Sequence, residues 1–251
     1  MPVIKLAFNG GEPMNNKSIS ATRHHAAWST SGHLEAIHQN KTRHQRWIDG
    51  PIAKRIFDIG VSCFLLVFLA PAFIVISLAI LVCRDGPVFY GHTRVGYGGK
   101  SFKCLKFRTM HQDSERVLEQ HLAECSTARD EWDRTRKLQN DPRVSTIGHL
   151  LRISSLDELP QLVNVLRGEM SLVGPRPIPA DELVNYGRHS VSYYNNVPGI
   201  TGLWQVSGRN NTTYPERVAL DVSYCSERTM FRDVSILSRT VLVVLTGHGA
   251  F

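Results

Sequence analysis

"IGVSCFLLVFLAPAFIVISLAILVC", Ile59 to Cys83, is a run of twenty-five residues without a formal charge. Wound as one straight helix at about 1.5 Å per residue, it reaches about 37 Å, longer than the roughly 30 Å hydrocarbon core of a bilayer. Pro71 stands at its midpoint, with twelve residues on either side. Proline lacks an amide hydrogen and clashes with the preceding turn, so it bends or breaks the helix. Each arm is then about 18 Å long, too short to cross. Both flanks are basic: Lys41, Arg43, Arg46, Lys54 and Arg55 precede the run, and Arg84, Arg94, Lys100, Lys103, Lys106 and Arg108 follow it. Basic flanks stay on the cytoplasmic side of a membrane. A hairpin that enters and leaves one leaflet satisfies both flanks. The competing readings are a kinked transmembrane span and a long buried helix of a soluble fold. The run lies too far from the N-terminus, and lacks a small-residue cleavage site, to be a signal peptide.

Around this run the chain divides into a polar extension over residues 1–50, a re-entrant membrane helix over 51–84 and a cytoplasmic domain over 85–251. The whole chain has 251 residues, a formal net charge of +7 and a pI near 9.3. Such an excess of Lys and Arg suits anionic partners: nucleic acid, acidic headgroups or phosphorylated substrates. A nucleic-acid binder leaves the apolar hairpin unexplained, so no nucleic-acid partner is expected. Five cysteines without a CxxC pair or a His at ligand spacing imply neither a zinc site nor a disulfide framework, and fit a reducing cytosol. His24, His25, His33, His38 and His44 are irregularly spaced among polar residues and read as a solvated tail.

The body reads as a mixed α/β (α+β) fold. Val88–Gly91 and Ser101–Met110 are rich in aromatic and β-branched residues and are predicted strands, with Gly96, Gly98 and Gly99 marking the turn between them. On the second strand Lys106 and Arg108, two residues apart, share a face. Ser114 to Lys137 is an amphipathic helix or helix pair suited to a membrane surface. Met170–Val173 is a short buried strand, and Ser235–Leu245 an apolar helix or strand.

"SSLDELPQL", Ser154 to Leu162, places Asp157 beside Glu158. Ser155-x-x-Glu158 matches a capping box, which would make Ser155 the N-cap. Pro160 would then forfeit an intrahelical hydrogen bond, so the proline favours Asp157 as N-cap of a helix running to Gly168. The helix N-terminus would hold both acids ionised, which suits a nucleophile or metal ligand. Downstream, Arg176 is framed by Pro175 and Pro177, whose restricted backbone preorganises its guanidinium for phosphate. "VPGITGLWQVSGR", Val197 to Arg209, is a glycine-punctuated loop suited to a nucleotide pocket.

"AKRIFDI" with Pro71, "FKCLKFRTM", "NDPRV", "LRISSLDELPQLVNVLRGEMSLVGPRP", "PGITGLWQVSGR" and "LDVSY" to "FRDV" occur in order over residues 51 to 251. Together they resemble the bacterial sugar transferases, the monotopic phosphoglycosyl transferase family. The wording is most similar to the exopolysaccharide-initiating galactosyl-1-phosphate transferases. The resemblance implies an enzyme of the bacterial inner membrane, monotopic, with its catalytic domain facing the cytoplasm. It implies transfer of a sugar-1-phosphate, galactose or glucose, from a UDP-sugar to undecaprenyl phosphate through a covalent aspartyl phosphosugar, releasing UMP. By motif position Asp157 is the nucleophile and Glu158 helps hold Mg²⁺, with Asp157 as a second metal candidate. Lys106, Arg108, Arg152 and Arg176 match basic positions around the diphosphate. Gly199, Thr201, Gly202, Gln205 and Arg209 form the nucleotide loop. Membrane lipid and downstream glycosyltransferases complete the implied partners. Two positions depart from the family pattern: Ala70, where Ser is frequent before Pro71, and Val197, where a basic residue is expected before Pro198.

Overall fold

The computed structural model describes residues 52–83, 86–135, 138–208 and 212–246. The polar extension, its histidines and Arg209 lie outside the described residues. In chain order the elements are α1 (Ile52–Phe68), α2 (Ala70–Val82), β1 (Phe89–Val95), β2 (Ser101–Phe107), α3 (Ser114–Glu124), α4 (Ser126–Thr135) and α5 (Thr146–Ile153). They continue as α6 (Gln161–Arg167), β3 (Ser171–Val173), α7 (Ser190–Tyr194), β4 (Gly199–Thr201), α8 (Tyr214–Ser226) and α9 (Met230–Thr246). The strands form two small sheets, an antiparallel β1–β2 hairpin and a parallel β3–β4 pair. The fold is therefore mixed helix and sheet.

The apolar run breaks where the proline requires. Helices α1 and α2 meet at Leu69 with a 61° bend. Pro71 is the second residue of α2, a position whose amide has no intrahelical acceptor to lose. The backbone carries the corner: Leu69 N donates to Leu65 O at 2.8 Å and Phe73 N to Leu69 O at 3.0 Å. Farther along α2, seven residues past Ala70, Ser77 Oγ donates to Phe73 O at 2.6 Å. Among the described residues no single helix is long and apolar enough to cross a membrane; only the bent pair qualifies, and only jointly.

Each arm packs one side on the body. From α1, Phe57, Val61, Leu65 and Leu66 lie against a core of Leu162, Val165, Met170 and Leu172. From α2, Ile76 and Ile80 pack with Phe107 and Leu151. The opposite side is bare: Phe64, Val67, Phe68, Ile74, Val75, Leu78 and Val82 are exposed. Both arms therefore rest on a single body.

Lys54 and Arg55, read from sequence as flanking charges, have internal partners. Arg55 donates to Val165 O at 2.6 Å and Leu166 O at 2.9 Å, supplying cation and donors to the C-terminal end of α6. Lys54 lies between Asp58 at 3.0 Å and Asp233 at 2.9 Å, tying α1 to α9.

The β1–β2 hairpin exceeds the predicted first strand. Pairing runs from Phe89↔Phe107 to Val95↔Ser101, so β1 continues past Gly91 through His92, Thr93 and Arg94. That polar run belongs to a ribbon with one open face, where polar residues are tolerated. Gly98 (φ 67°) and Gly99 (φ 78°) take the left-handed conformations the tight connection needs. The second strand stops at Phe107, short of the predicted Met110, which makes only an isolated bridge to Val144. The charged segment is a helix pair, separated at Cys125, whose backbone is extended. The apolar C-terminal segment is the helix α9. Gly148, three residues after the Ser145 cap of α5, lets that helix meet the chain after β2: a Cβ there would lie 2.0 Å from Thr109 O.

Candidate active site

The acid pair sits on a tighter turn than the sequence predicts. Ser155 is left-handed (φ 56°), Leu156–Glu158 form a 3₁₀ turn, and α6 begins at Gln161 with Pro160 as its cap residue. Neither the Ser155 capping box nor an Asp157 cap forms, since neither turn has a side-chain cap bond. The reason lies in Pro160. It has no amide to give Leu156 O, which accepts Leu159 N at 3.2 Å instead, and the chain winds with i→i−3 bonds.

This turn presses Asp157 into the body, where it is 8% exposed. Lys106, from β2, reaches both acids: Nζ is 2.6 Å from Glu158 Oε1 and 3.3 Å from Asp157 Oδ2. Burial raises the proton affinity of Asp157 above the ordinary carboxylate range; Lys106 and Arg152 pull it down and Glu158 pushes it up, with a net rise. The helix-mouth expectation is thus corrected: burial and the neighbouring charges govern Asp157. For Lys106 burial works against the charge, but Glu158 and Asp157 outweigh it and hold the ammonium more firmly protonated.

Beside this triad lies a small cleft, open to solvent and lined by Arg94, Lys106, Glu158, Gln161, Arg176 and Gln205, among others. Arg176 enters from the Pro175–Pro177 segment and its guanidinium lies 5.5 Å from the Trp204 ring centre. The buried carboxylate of Asp221 lies near enough to feel the Arg176 charge, and it accepts Tyr186 Oη–H at 2.7 Å.

The other sequence candidates fall outside this lining. Arg152 is exposed, donates to Thr109 Oγ1 at 3.0 Å, and acts on Asp157 through its charge. Arg108 lies beyond the end of β2, so strand alternation does not place it with Lys106; it donates to Pro87 O at 2.9 Å and covers Tyr90. Gly199 and Thr201 act behind the cleft. Gly199 N bonds Pro175 O and Gly174 N bonds Thr201 O, each at 2.9 Å, locking the Pro-Arg-Pro segment to β4. Thr201 Oγ1 meets Thr240 Oγ1 at 2.7 Å. A Cβ at Gly202 would lie 2.3 Å from Gly174 O, so this glycine serves the same close approach. Val197 is buried, which explains an apolar side chain where a basic one is expected.

Arg94, Gln161 and Asp221 were missed from sequence. Arg94 was lost by ending β1 too early. Asp221 had a signal: it occupies the apolar stripe Val218–Asp221–Tyr224 of α8, where an acid is out of place.

Burial pushes the Asp221 carboxyl up to about 7. From about pH 4 to about pH 7 the folded chain holds this proton and the unfolded chain does not, so Asp221 makes stability fall as pH rises through that window. Asp221→Asn is expected to flatten the pH dependence of unfolding there by up to about 1.4 kcal/mol per unit. Melts of both proteins from about pH 5 to about pH 8 check it.

The family model for bacterial sugar transferase matches residues 50–247. The chain belongs to the bacterial sugar transferase family. It is 48% identical over 202 residues to the exopolysaccharide production protein ExoY of Rhizobium meliloti (strain 1021), covering 80% of this chain and 89% of that one. It is 50% identical over 199 residues to the undecaprenyl-phosphate galactose phosphotransferase of Salmonella typhimurium, covering 79% of this chain but 41% of that protein. It is 37% identical over 208 residues to the UDP-glucose:undecaprenyl-phosphate glucose-1-phosphate transferase of Caulobacter vibrioides, covering 80% and 72% respectively. As a member of the sugar transferase family the chain is a transferase, and the acid–lysine triad and its cleft lie inside the matched region.

Proposed function

We propose that this sugar transferase moves a sugar-1-phosphate, galactose or glucose, from a UDP-sugar to undecaprenyl phosphate. It releases UMP and starts an exopolysaccharide repeat unit for downstream glycosyltransferases. The observation that carries the reading is a buried carboxylate, Asp157, held by Lys106, which with the neighbouring Glu158 lines a cleft shared with two arginines. A carboxylate is a competent covalent nucleophile toward phosphorus. Phosphoryl transfer depends on positioning and charge neutralisation, which Lys106, Arg94 and Arg176 supply. Asp157 attacks the sugar-bearing phosphorus to give an aspartyl phosphosugar, and the acceptor phosphate then takes the phosphosugar from it. Lys106 keeps the carboxylate oriented and offsets the charge that builds on phosphate oxygens. The Salmonella and Caulobacter relatives carry names describing galactose and glucose phosphate transfer, which supports these two sugars.

Among the described residues no group of three or more His, Cys, Asp or Glu is placed to hold a metal. Mg²⁺, however, commonly takes only one or two carboxylates and completes its shell with phosphates and water. Glu158 and Asp157 already face a cation, the Lys106 ammonium, so their hard oxygens fit the ion. When bound it would neutralise diphosphate charge.

The bare apolar side of α1 and α2 supports membrane attachment, because patches of that extent are seldom left in water. Because both arms pack on one body, the pair dips into one leaflet and returns. In this reading residues 51–84 anchor the protein to the inner membrane and 85–251 work from the cytoplasmic side, beside the lipid phosphate.

The purified chain, given undecaprenyl phosphate with UDP-galactose or UDP-glucose in nanodiscs, is expected to release UMP. Release of UDP would mean that only the sugar moves, and would overturn the proposal.

A further inference from the structure

We infer that Asn164, in α6, is a positioning residue: it fixes β2 against the acid-bearing turn so that the Lys106 ammonium meets Asp157 and Glu158. The inference rests on the proposed transfer reaction. It begins with a residue out of place. Asn is a poor helix former and is seldom fully buried. Asn164 is 0% exposed in a helix of seven residues, a setting that an apolar side chain suits better.

Its carboxamide is fully used. Oδ1 accepts Leu105 N–H at 2.9 Å, and Nδ2 donates to Lys103 O at 2.8 Å and to Glu169 Oε2 at 2.6 Å. The oxygen and both amide hydrogens therefore have partners. Among the described residues β2 pairs with β1 alone, and Asn164 takes its open edge. Bonding to the carbonyl before Cys104 and to the N–H after it is the pattern that one residue of a parallel strand makes. A single side chain thus stands in for a third strand. The main chain of Asn164 is held as well, its carbonyl accepting Glu169 N–H at 3.0 Å. Glu169 therefore braces both the backbone and the side chain of Asn164.

These bonds fall where register decides the site. Cys104 is buried with Leu162 and Val165 of α6. Lys106, two residues on, shares that strand face and reaches the acids. Lys103 belongs to the other face, where its Nζ donates to Thr93 Oγ1 at 2.8 Å. A slip of one residue exchanges the faces and takes Lys106 away from the acids. Apolar contact at Cys104 is non-directional and does not fix a register. The paired bonds of the carboxamide do. On the helix side, Asn164 lies in the first turn of the helix that follows the Leu156–Glu158 turn. The splint therefore joins the backbone beside the lysine to the helix that carries the acids at its mouth. In the transfer step Lys106 offsets charge that builds on the phosphate, so its displacement lowers kcat more than substrate affinity.

The test uses the full chain in nanodiscs with undecaprenyl phosphate and the UDP-sugar that the unmodified chain turns over. Asn164→Ala is expected to lower kcat for UMP release by about tenfold to hundredfold, as for a displacement of about 1 Å, and to change KM for the UDP-sugar by less than about twofold. Lys106→Met lowers kcat at least as far. Adding Asn164→Ala to it lowers kcat no further, because the lysine through which Asn164 acts is gone. Arg55→Ala loosens the other end of α6, where Arg55 holds Val165 O and Leu166 O, and leaves kcat unchanged. Losses from Asn164→Ala and Lys106→Met that multiply, a rise in KM with kcat unchanged, or an equal fall of kcat in Arg55→Ala overturns the inference and makes Asn164 a residue of stability alone. Where Lys106→Met leaves no measurable rate, Lys106→Arg takes its place in the cycle. Where Asn164→Ala loses its melting transition, Glu169→Ala decides by the same cycle: it frees the carboxamide to turn, and its smaller loss of kcat should likewise vanish in the Lys106 background. An unmodified chain that releases UDP refutes the transfer reaction itself. An unmodified chain that releases UMP, with Asn164→Ala as active as it is, refutes only the role of Asn164.

Discussion

Asp157→Asn is expected to lower UMP release by about a thousandfold or more and to leave no sugar phosphate bound to the denatured protein. The substitution changes almost no volume in a site that is 8% exposed, so the turn at Leu156–Glu158 persists. It removes the carboxylate proposed as nucleophile, because a neutral amide does not form the acyl phosphate that a carboxylate would. Glu158→Gln separates the roles of the two acids. It leaves Asp157 beside Lys106, 3.3 Å away, so labelled sugar phosphate is still trapped on the protein, more slowly. Trapping of label by Asp157→Asn, or its absence in the unmodified chain, would remove the covalent step. The raised proton affinity of Asp157 sets the acid side of the profile. Attack needs the carboxylate, so activity falls at a higher pH than an ordinary aspartate would give.

The parts legible in sequence were those set by local covalent chemistry. Pro71 fixed the break in the apolar run because a missing amide acts wherever it lies. Pro175 and Pro177 marked a stiff segment around Arg176 for the same reason. The acid pair and Lys106 were found by their place in quoted motifs, and the structure brings all three within hydrogen-bonding reach. What escaped depended on distant partners. The start of α6 was misplaced because Pro160 resolved its missing bond by tightening the turn, a choice between two windings of similar local cost. Arg94 and Arg176 are 82 positions apart, and their segments meet through the Val95 N–H to Ile178 O bond and the Tyr193 hydroxyl. Arg108 looked equivalent to Lys106 by strand alternation, but β2 ended one residue before it. Lys54 and Arg55 looked like topology signals because a sequence shows charge without showing what it faces.

Lys54→Ala is expected to be the most destabilising single substitution proposed here, by about 3–5 kcal/mol. Lys54 is 5% exposed, and its partners Asp58 and Asp233 are 0% and 1% exposed. The two carboxylates have further donors: Ser171 Oγ–H meets Asp58 Oδ2 at 2.7 Å, and Tyr224 Oη–H meets Asp233 Oδ1 at 2.6 Å. These neutral donors orient the acids without cancelling their charge. Removing the ammonium leaves two buried negative charges without a cation, a much larger cost than losing one surface ion pair. Asp58 is on α1, Ser171 on β3, Tyr224 on α8 and Asp233 on α9, so four elements loosen at once. Arg55→Ala, one position along, gives the comparison. It removes donors from the end of α6 but leaves no buried charge, so it should cost about 1–2 kcal/mol. Denaturant unfolding of both variants in one detergent measures the difference. Equal losses would show that the buried charge is compensated elsewhere. The Lys54 variant should also lose activity before it unfolds globally, because β3 leads directly into the segment that holds Arg176. The α1 arm and the phosphate-facing cleft are then coupled through one buried ammonium, and a change at the arm's base is felt at the site.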